Sequence, residues 1–218
     1  MTFSLNTTVI KPDENNKINS AIILLHGYGG DGKDISALAI NWRRFLPDGI
    51  FLCPNAPEVC SINPQGFQWF DLTNEKEDII LEKSLEAEKK LTLFLDEALN
   101  YFQLKSQNLA LVGFSQGSMI SLQVAIKNKK KLNCLIGYSG KVINKKHLSE
   151  NINSRPKIFL MHGDKDVIVS PTHLLEAKEY FANFQIKIKT KLFKNCEHRI
   201  PVEGSSLGLE FLRKNLFK

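Results

Sequence analysis

One serine in this chain stands where a serine can act as a nucleophile. Ser115 is the central residue of Gly113-Phe114-Ser115-Gln116-Gly117, a match to G-x-S-x-G, in which the serine occupies a tight strained turn between a strand and a helix. The flanking sequence supplies that context: "LALV" before it reads as a strand and "SMISLQVAIKNKK" after it reads as a helix. Side chains at the two glycines would collide where strand and helix approach each other inside the turn. An ordinary strand-to-helix turn also favours glycine, but it does not require a serine at its apex.

A serine hydroxyl attacks a carbonyl only when a base removes its proton, so a histidine is needed, with a carboxylate to orient it. Where this motif operates, the chain order is serine, then acid, then histidine. Of five histidines, His147, His162, His173 and His198 follow Ser115. His198, in the loop "FKNCEHRIP" after the last predicted strand, is the best-placed base. His162 ends the strand "KIFLM" and is expected to make local structural hydrogen bonds, while His147 and His173 are expected at the surface. The acid falls in "MHGDKDVIVS", a loop directly after a strand that offers Asp164 and Asp166. Residue chemistry alone does not separate the two, and either could merely cap the turn.

The elements that must hold these residues follow from periodicity. Short apolar runs alternate with longer helical patterns along the whole chain, the signature of a mostly parallel sheet with helices on both faces. The strands are predicted at Ser20 to Leu25, Ile50 to Cys53, Leu109 to Val112, Cys134 to Tyr138, Lys157 to Met161 and Ile186 to Phe193. Most are continuously apolar, as strands covered on both faces should be, whereas "IKIKTKLF" alternates and predicts an edge strand. Ala87, Leu91, Phe94, Ala98 and Phe102 recur at helical spacing and predict a long helix from Asp78 to Leu104. Further helices are predicted after Ser115, after Pro171 and from Glu203 to Phe217.

Length and composition are those of one globular domain spanning residues 1–218, with 43% hydrophobic and 24% charged residues and no repeats or long linkers. The start, "MTFSLNTTVIKPDENNK", lacks a basic segment followed by an apolar one, and no stretch reaches the about eighteen apolar residues of a membrane span. A cytoplasmic protein is expected. Cys53, Cys60, Cys134 and Cys196 then read as reduced thiols, with Cys53 and Cys134 in apolar runs. The formal charge of +6 is spread out, and its densest run, "KNKKKLN", lacks interleaved aromatics and reads as a solvated helix end. Nucleic acid is not an expected partner. Contact with an anionic membrane through lysines would be weak and peripheral.

The ordered set "IILLHGYGGDGKD", "CPNAP", "QWFDL", "GFSQGS", "GYSG", "HGDKDVIVS" and "EHRIP" resembles the small α/β-hydrolase carboxylesterases, a family that includes acyl-protein thioesterases and bacterial phospholipase/carboxylesterase-type enzymes. The resemblance covers nearly the whole chain and implies an α/β-hydrolase fold. It implies Ser115 as nucleophile, His198 as base and Asp166, the second aspartate of "HGDxD", as the acid. It also implies that "LHGYGG" forms the oxyanion-hole loop, with the backbone N–H of Tyr28 pairing with that of Gln116. His26, in that loop, is then structural. "QWFDL" would border the acyl site, which makes Trp69 and Phe70 candidate pocket residues, although a place in the core suits Trp69 equally.

The segment Lys141 to Arg155 is short and polar, so no large cap domain and an open, shallow cleft are expected. Its "KVINKKHLSE" replaces the longer hydrophobic loop of eukaryotic thioesterase relatives, and the bacterial esterase branch is the closer match. The resulting expectation is a serine carboxylesterase acting on small to medium acyl esters or thioesters. The alternatives are acyl-protein thioesterase or lysophospholipase activity, or a binding protein without turnover. No metal or organic cofactor is implied, because no cluster has ligand spacing. Substrates would be small-molecule esters, acylated lipids or acylated proteins, handled by a monomer or homodimer.

Overall fold

The structure, a computed structural model, describes residues 3–12, 16–73 and 76–216. Its main sheet has seven strands in the order β1-β3-β2-β6-β7-β8-β9, where β1 is Thr7–Ile10, β2 Ser20–Leu25, β3 Gly49–Pro54, β6 Leu109–Phe114, β7 Cys134–Tyr138, β8 Lys157–Gly163 and β9 Ile188–Phe193. Only β1, on its edge, runs antiparallel to its neighbour. β4 (Glu58–Val59) and β5 (Phe67–Gln68) form a separate small hairpin. The helices are α1 (Gly32–Trp42), α2 (Glu77–Tyr101), α3 (Gln116–Lys127), α4 (Lys145–Glu150), α5 (Thr172–Ala182) and α6 (Val202–Leu216).

Alternation along the central strands divides the core in two. Ala21, Ile23 and Leu25 of β2 point to one side, with Leu91 and Phe94 of α2, Ile120 of α3 and Phe181 of α5. Ile22 and Leu24 point to the other, against Trp42 of α1 and Leu212 of α6. Each fully buried aliphatic side chain stabilises the fold by about 1.5–3 kcal/mol, so both faces of the sheet are strongly specified. β9 lies at the other edge with mixed exposure, as its alternating sequence predicts.

All six predicted strands form, and several boundaries move for local reasons. The strand predicted from Ile186 begins at Ile188, because Gln185 (φ 57) turns left-handed and the Ile186 N–H closes on the Phe181 carbonyl at 3.0 Å. The long helix ends at Tyr101, where Gln103 (φ 55) turns the chain and the Leu104 N–H bonds the Leu99 carbonyl at 2.9 Å. The predicted end of the last helix at Phe217 lies outside the described residues. β1, the β4–β5 hairpin, α1 and α4 are additions to the sequence reading.

The chain steps from β2 through α1 to β3 on one side, then returns through α2 to β6 on the other side of β2. This reversal puts the carboxyl ends of β2 and β6 next to each other, the position where open α/β sheets bind ligands. No large cap covers it, since the β7–β8 connection carries only the six residues of α4. That connection is less polar in effect than in composition. Val142, Ile143 and Leu148 turn into the core, and the Ile143 carbonyl accepts a hydrogen bond from Gln123 Nε2 at 2.6 Å.

Candidate active site

Ser115 links β6 to α3 with φ 52 and ψ −117, a left-handed conformation that costs a non-glycine residue about 1–3 kcal/mol. Packing enforces it. A Cβ on Gly113 would lie 2.4 Å from the Gly117 carbonyl, and one on Gly117 would lie 2.1 Å from the Leu25 carbonyl oxygen. The glycines therefore let α3 start directly against β6 and β2, and the serine is left at the apex. Its N–H is fixed on the Tyr138 carbonyl of β7 at 2.8 Å.

Asp166 and His198 meet beside this turn, although 32 residues separate them. The Asp166 carboxylate is buried: Oδ1 accepts the Ile168 and Val169 N–H groups at 3.0 and 2.9 Å, and Oδ2 lies 2.8 Å from His198 Nδ1. Burial alone pushes this carboxyl upward. The Val169 amide, the His198 ring and the Ile168 amide outweigh it and hold the group below the usual carboxylate range. With Nδ1–H donating to Asp166, His198 presents Nε2 as an acceptor. The His198 ring packs 4.9 Å from that of Phe114, the residue before Ser115. The Ser115 hydroxyl bonds no described residue in this arrangement, and contacts of this kind tighten when substrate binds.

Asp164, the other candidate acid, has a different partner among the described residues. Its Oδ1 accepts the Cys196 N–H at 3.3 Å, its own N–H donates to the Phe193 carbonyl at 2.9 Å, and the Lys165 N–H donates to the Cys196 carbonyl at 2.9 Å. A Cβ on Gly163 would sit 2.2 Å from the Cys196 carbonyl oxygen. The acid loop and the histidine loop are thus latched together, a role for Asp164 that its sequence position does not signal. Nor does the sequence signal Phe114, which occupies a freely variable position of G-x-S-x-G.

Of the remaining histidines, His162 also borders the Asp166 carboxylate, and the other three are engaged elsewhere. His26 is buried, with Nδ1–H on the Gly27 carbonyl at 2.7 Å and Nε2 accepting the Ala56 N–H at 2.9 Å. Burial lowers its pKa, so the neutral ring is a structural bridge. His162 is buried as well, its Nε2 lying 2.8 Å from the Val169 carbonyl and 3.2 Å from Asp166 Oδ2. His147 and His173, expected at the surface, are half-buried. The His147 ring rests 3.4 Å from Lys127 Nζ, and His173 pairs with Glu176 at 3.1 Å one helical turn along α5.

The loop after β2 brings Tyr28 to the same place, because a Cβ on Gly27 would lie 3.2 Å from Ser115 Cβ. Among the described residues the Tyr28 N–H has no backbone acceptor, and Gln116, as the first residue of α3, has none inside its helix. Two amides are therefore free beside Ser115. Trp69 and Phe70, the candidate pocket residues, are both fully buried in the core, the place that suited Trp69 equally in the sequence. The Trp69 indole donates to the His26 carbonyl at 3.1 Å, which uses its polar edge internally. Cys53, Cys60, Cys134 and Cys196 are free and buried, and burial raises Cys53 and Cys134 to about 12. Among the described residues no three His, Cys, Asp or Glu side chains gather as a metal-ligand set, and no helix is long and apolar enough to cross a membrane.

Comparison with known proteins bears on the family and the fold. Acyl-protein thioesterase 1 of Aspergillus fumigatus is 30% identical over 220 residues, covering 91% of this chain and 88% of the relative. Esterase YpfH of Escherichia coli is 23% identical over 90% of this chain and 83% of its own length. The crystal structure of esterase PE8 superposes with a TM-score of 0.91 at 32% identity, covering 97% of this chain and 99% of that one, so the fold is that of the α/β-hydrolase esterases. The phospholipase/carboxylesterase family model matches residues 6–216, and the chain belongs to that family.

Proposed function

We propose that this chain is a serine carboxylesterase that cleaves esters or thioesters of small to medium acyl groups through an acyl-enzyme on Ser115. His198 Nε2 takes the Ser115 proton as Oγ attacks the carbonyl carbon, while Asp166 orients the ring and stabilises the imidazolium. Negative charge develops on the carbonyl oxygen and is met by the Tyr28 and Gln116 amides. The tetrahedral intermediate collapses, and the alcohol or thiol leaves with the proton from His198. Water then attacks the acyl carbon, again with His198 as base, and releases the carboxylic acid and the free serine.

The observation that carries this reading is the part-buried 2.8 Å contact between Asp166 Oδ2 and His198 Nδ1, set beside a serine held at positive φ. Family membership supports hydrolysis, and relatives named as esterases and acyl-protein thioesterases support both ester and thioester substrates. Four buried free thiols favour a reducing compartment, and we place the protein in the cytoplasm. Ser115→Ala is expected to lower turnover of short p-nitrophenyl esters by at least about a thousandfold while the melting profile is kept. Turnover near that of the parent would overturn the assignment.

A further inference from the structure

The glycine-rich loop that offers the Tyr28 amide has little rigidity of its own: Gly27, Gly29 (φ 76) and Gly30 surround the tyrosine. Beyond its own turn, in which the Gly30 N–H donates to the Gly27 carbonyl at 3.1 Å, its geometry is set from outside. The Gly29 N–H donates to the Phe67 carbonyl at 2.9 Å, the Phe67 N–H returns to the Gly30 carbonyl at 2.9 Å, and Asn63 Nδ2 donates to the Gly29 carbonyl at 2.8 Å. These bonds hold Gly29 and Gly30, which follow Tyr28, and leave Tyr28 itself to its side chain.

That side chain is tied down by a small polar network. The Tyr28 hydroxyl lies 2.8 Å from Ser61 Oγ and donates to Asp71 Oδ1 at 3.3 Å. Ser61 Oγ is 3.0 Å from both Gln68 Oε1 and Asp71 Oδ1, and the Ser61 N–H donates to Gln68 Oε1 at 3.0 Å. Asp71 is fixed in turn by the Thr73 N–H at 2.9 Å and the Thr73 hydroxyl at 2.7 Å. The other amide donor is anchored to the neighbouring residues. Gln116, fully buried, accepts the Trp69 N–H on Oε1 at 2.9 Å and donates from Nε2 to the Phe70 carbonyl at 2.6 Å.

We propose that the four residues Gln68–Asp71, with Ser61, act as a strut that sets the spacing of the Tyr28 and Gln116 amides, and that Asp71 is a positioning residue acting through the Tyr28 hydroxyl. The proposal rests on the reading of those amides as the oxyanion donors. A donor is effective only when it is aimed, before reaction, at the place where charge will develop. An unanchored glycine loop meets that condition for a fraction of the time. This gives "QWFDL" a role different from pocket lining: Trp69 and Phe70 contribute their backbone, and Asp71 its carboxylate.

The test compares Tyr28→Phe, Asp71→Ala, Asp71→Asn and the Tyr28→Phe/Asp71→Ala double variant with the parent chain, using p-nitrophenyl butyrate. Tyr28→Phe and Asp71→Ala should each lower kcat about tenfold with KM within about twofold, because aim is lost and substrate contact is not. The double variant should fall no further than either single one, since both cut the same tether. Asp71→Asn keeps an acceptor at Oδ1 and should return kcat to within about twofold of the parent. Unchanged kcat in Tyr28→Phe, a loss confined to KM, or multiplicative losses in the double variant would each overturn the strut. A Ser115→Ala variant with parental turnover would instead overturn the underlying reading, and the strut with it.

Discussion

Asp164 and Asp166 are two residues apart, chemically identical and in one loop, yet they answer to different partners. Asp166 gives Oδ2 to His198 Nδ1 and Oδ1 to two backbone amides, whereas Asp164 holds the Cys196 amide and so the backbone of the histidine loop. Replacing Asp166 by Asn keeps its shape but puts an NH2 donor where the His198 Nδ1–H must donate, or turns the amide away from Ile168 and Val169. The first arrangement forces the other tautomer, with Nε2 protonated, and the second sets the NH2 group against two backbone N–H donors and unseats the side chain. Asp166→Asn should therefore lower kcat by about three to four orders of magnitude. In Asp164→Asn the Oδ1 acceptor survives, and a loss below about tenfold is expected. Measuring kcat for the two variants side by side decides the matter, and a larger loss in Asp164→Asn would reverse the roles.

The elements that carry these residues were legible in the sequence to unequal degrees, for physical reasons. Continuous apolar runs mark β2, β3, β6, β7 and β8, because a strand covered on both faces must be apolar at every position. β1 has four half-buried residues, and each strand of the β4–β5 hairpin has two, too few to show a period. α1 is concealed by the glycines before it, although Asp31 caps it through the Asp34 N–H at 2.7 Å and Ile35, Ala39 and Trp42 follow at helical spacing. The turn at Ser115 is local and readable. The Asp166–His198 pairing and the Gln116 clamp on Trp69 and Phe70 join distant segments, which no local pattern records. At the element scale the sharpest test is Gly117→Ala. Helix propensity favours alanine by about 1 kcal/mol, but the added methyl would stand 2.1 Å from the Leu25 carbonyl oxygen, inside contact distance of rigid backbone. The clash outweighs the propensity, and α3 must move off β2. Melting temperature and esterase rate should both fall, and a variant as stable and active as the parent would contradict this account of the turn.

For the molecule as a whole, two neutral histidines buried under the sheet ends make stability depend on pH. Burial lowers the pKa of His26 and of His162, and this outweighs the opposing pull of the Gly27 carbonyl, Asp31 and Asp34 on His26 and of the Val169 carbonyl and Asp166 on His162. His198 and His173 add to the lowering at His162. For His26 the geometry states the reason directly: Nε2 accepts the Ala56 N–H, and a proton there would set two donors face to face. In the unfolded chain each ring titrates near 6.5, so below that pH the unfolded state binds protons that the folded state refuses. The sign follows from linkage. Stability is fully present above about pH 6.5 and is lost as pH falls towards the depressed folded-state values, with a slope of up to about 1.4 kcal/mol per pH unit for each ring that stays neutral. Asp166 acts in the same direction at lower pH, its contribution lost only as pH falls below the ordinary carboxylate value of 3.8. Urea unfolding at pH 7.5, 6.5 and 5.5 should therefore show stability falling chiefly over the last interval. His26→Gln should lose part of that slope whatever it does to stability at pH 7.5, because one of the two proton-binding sites is gone. Stability independent of pH between 7.5 and 5.5, or a slope undiminished in His26→Gln, would show that the buried rings are protonated in the fold and that the neutral bridge from Gly27 to Ala56 does not hold the loop.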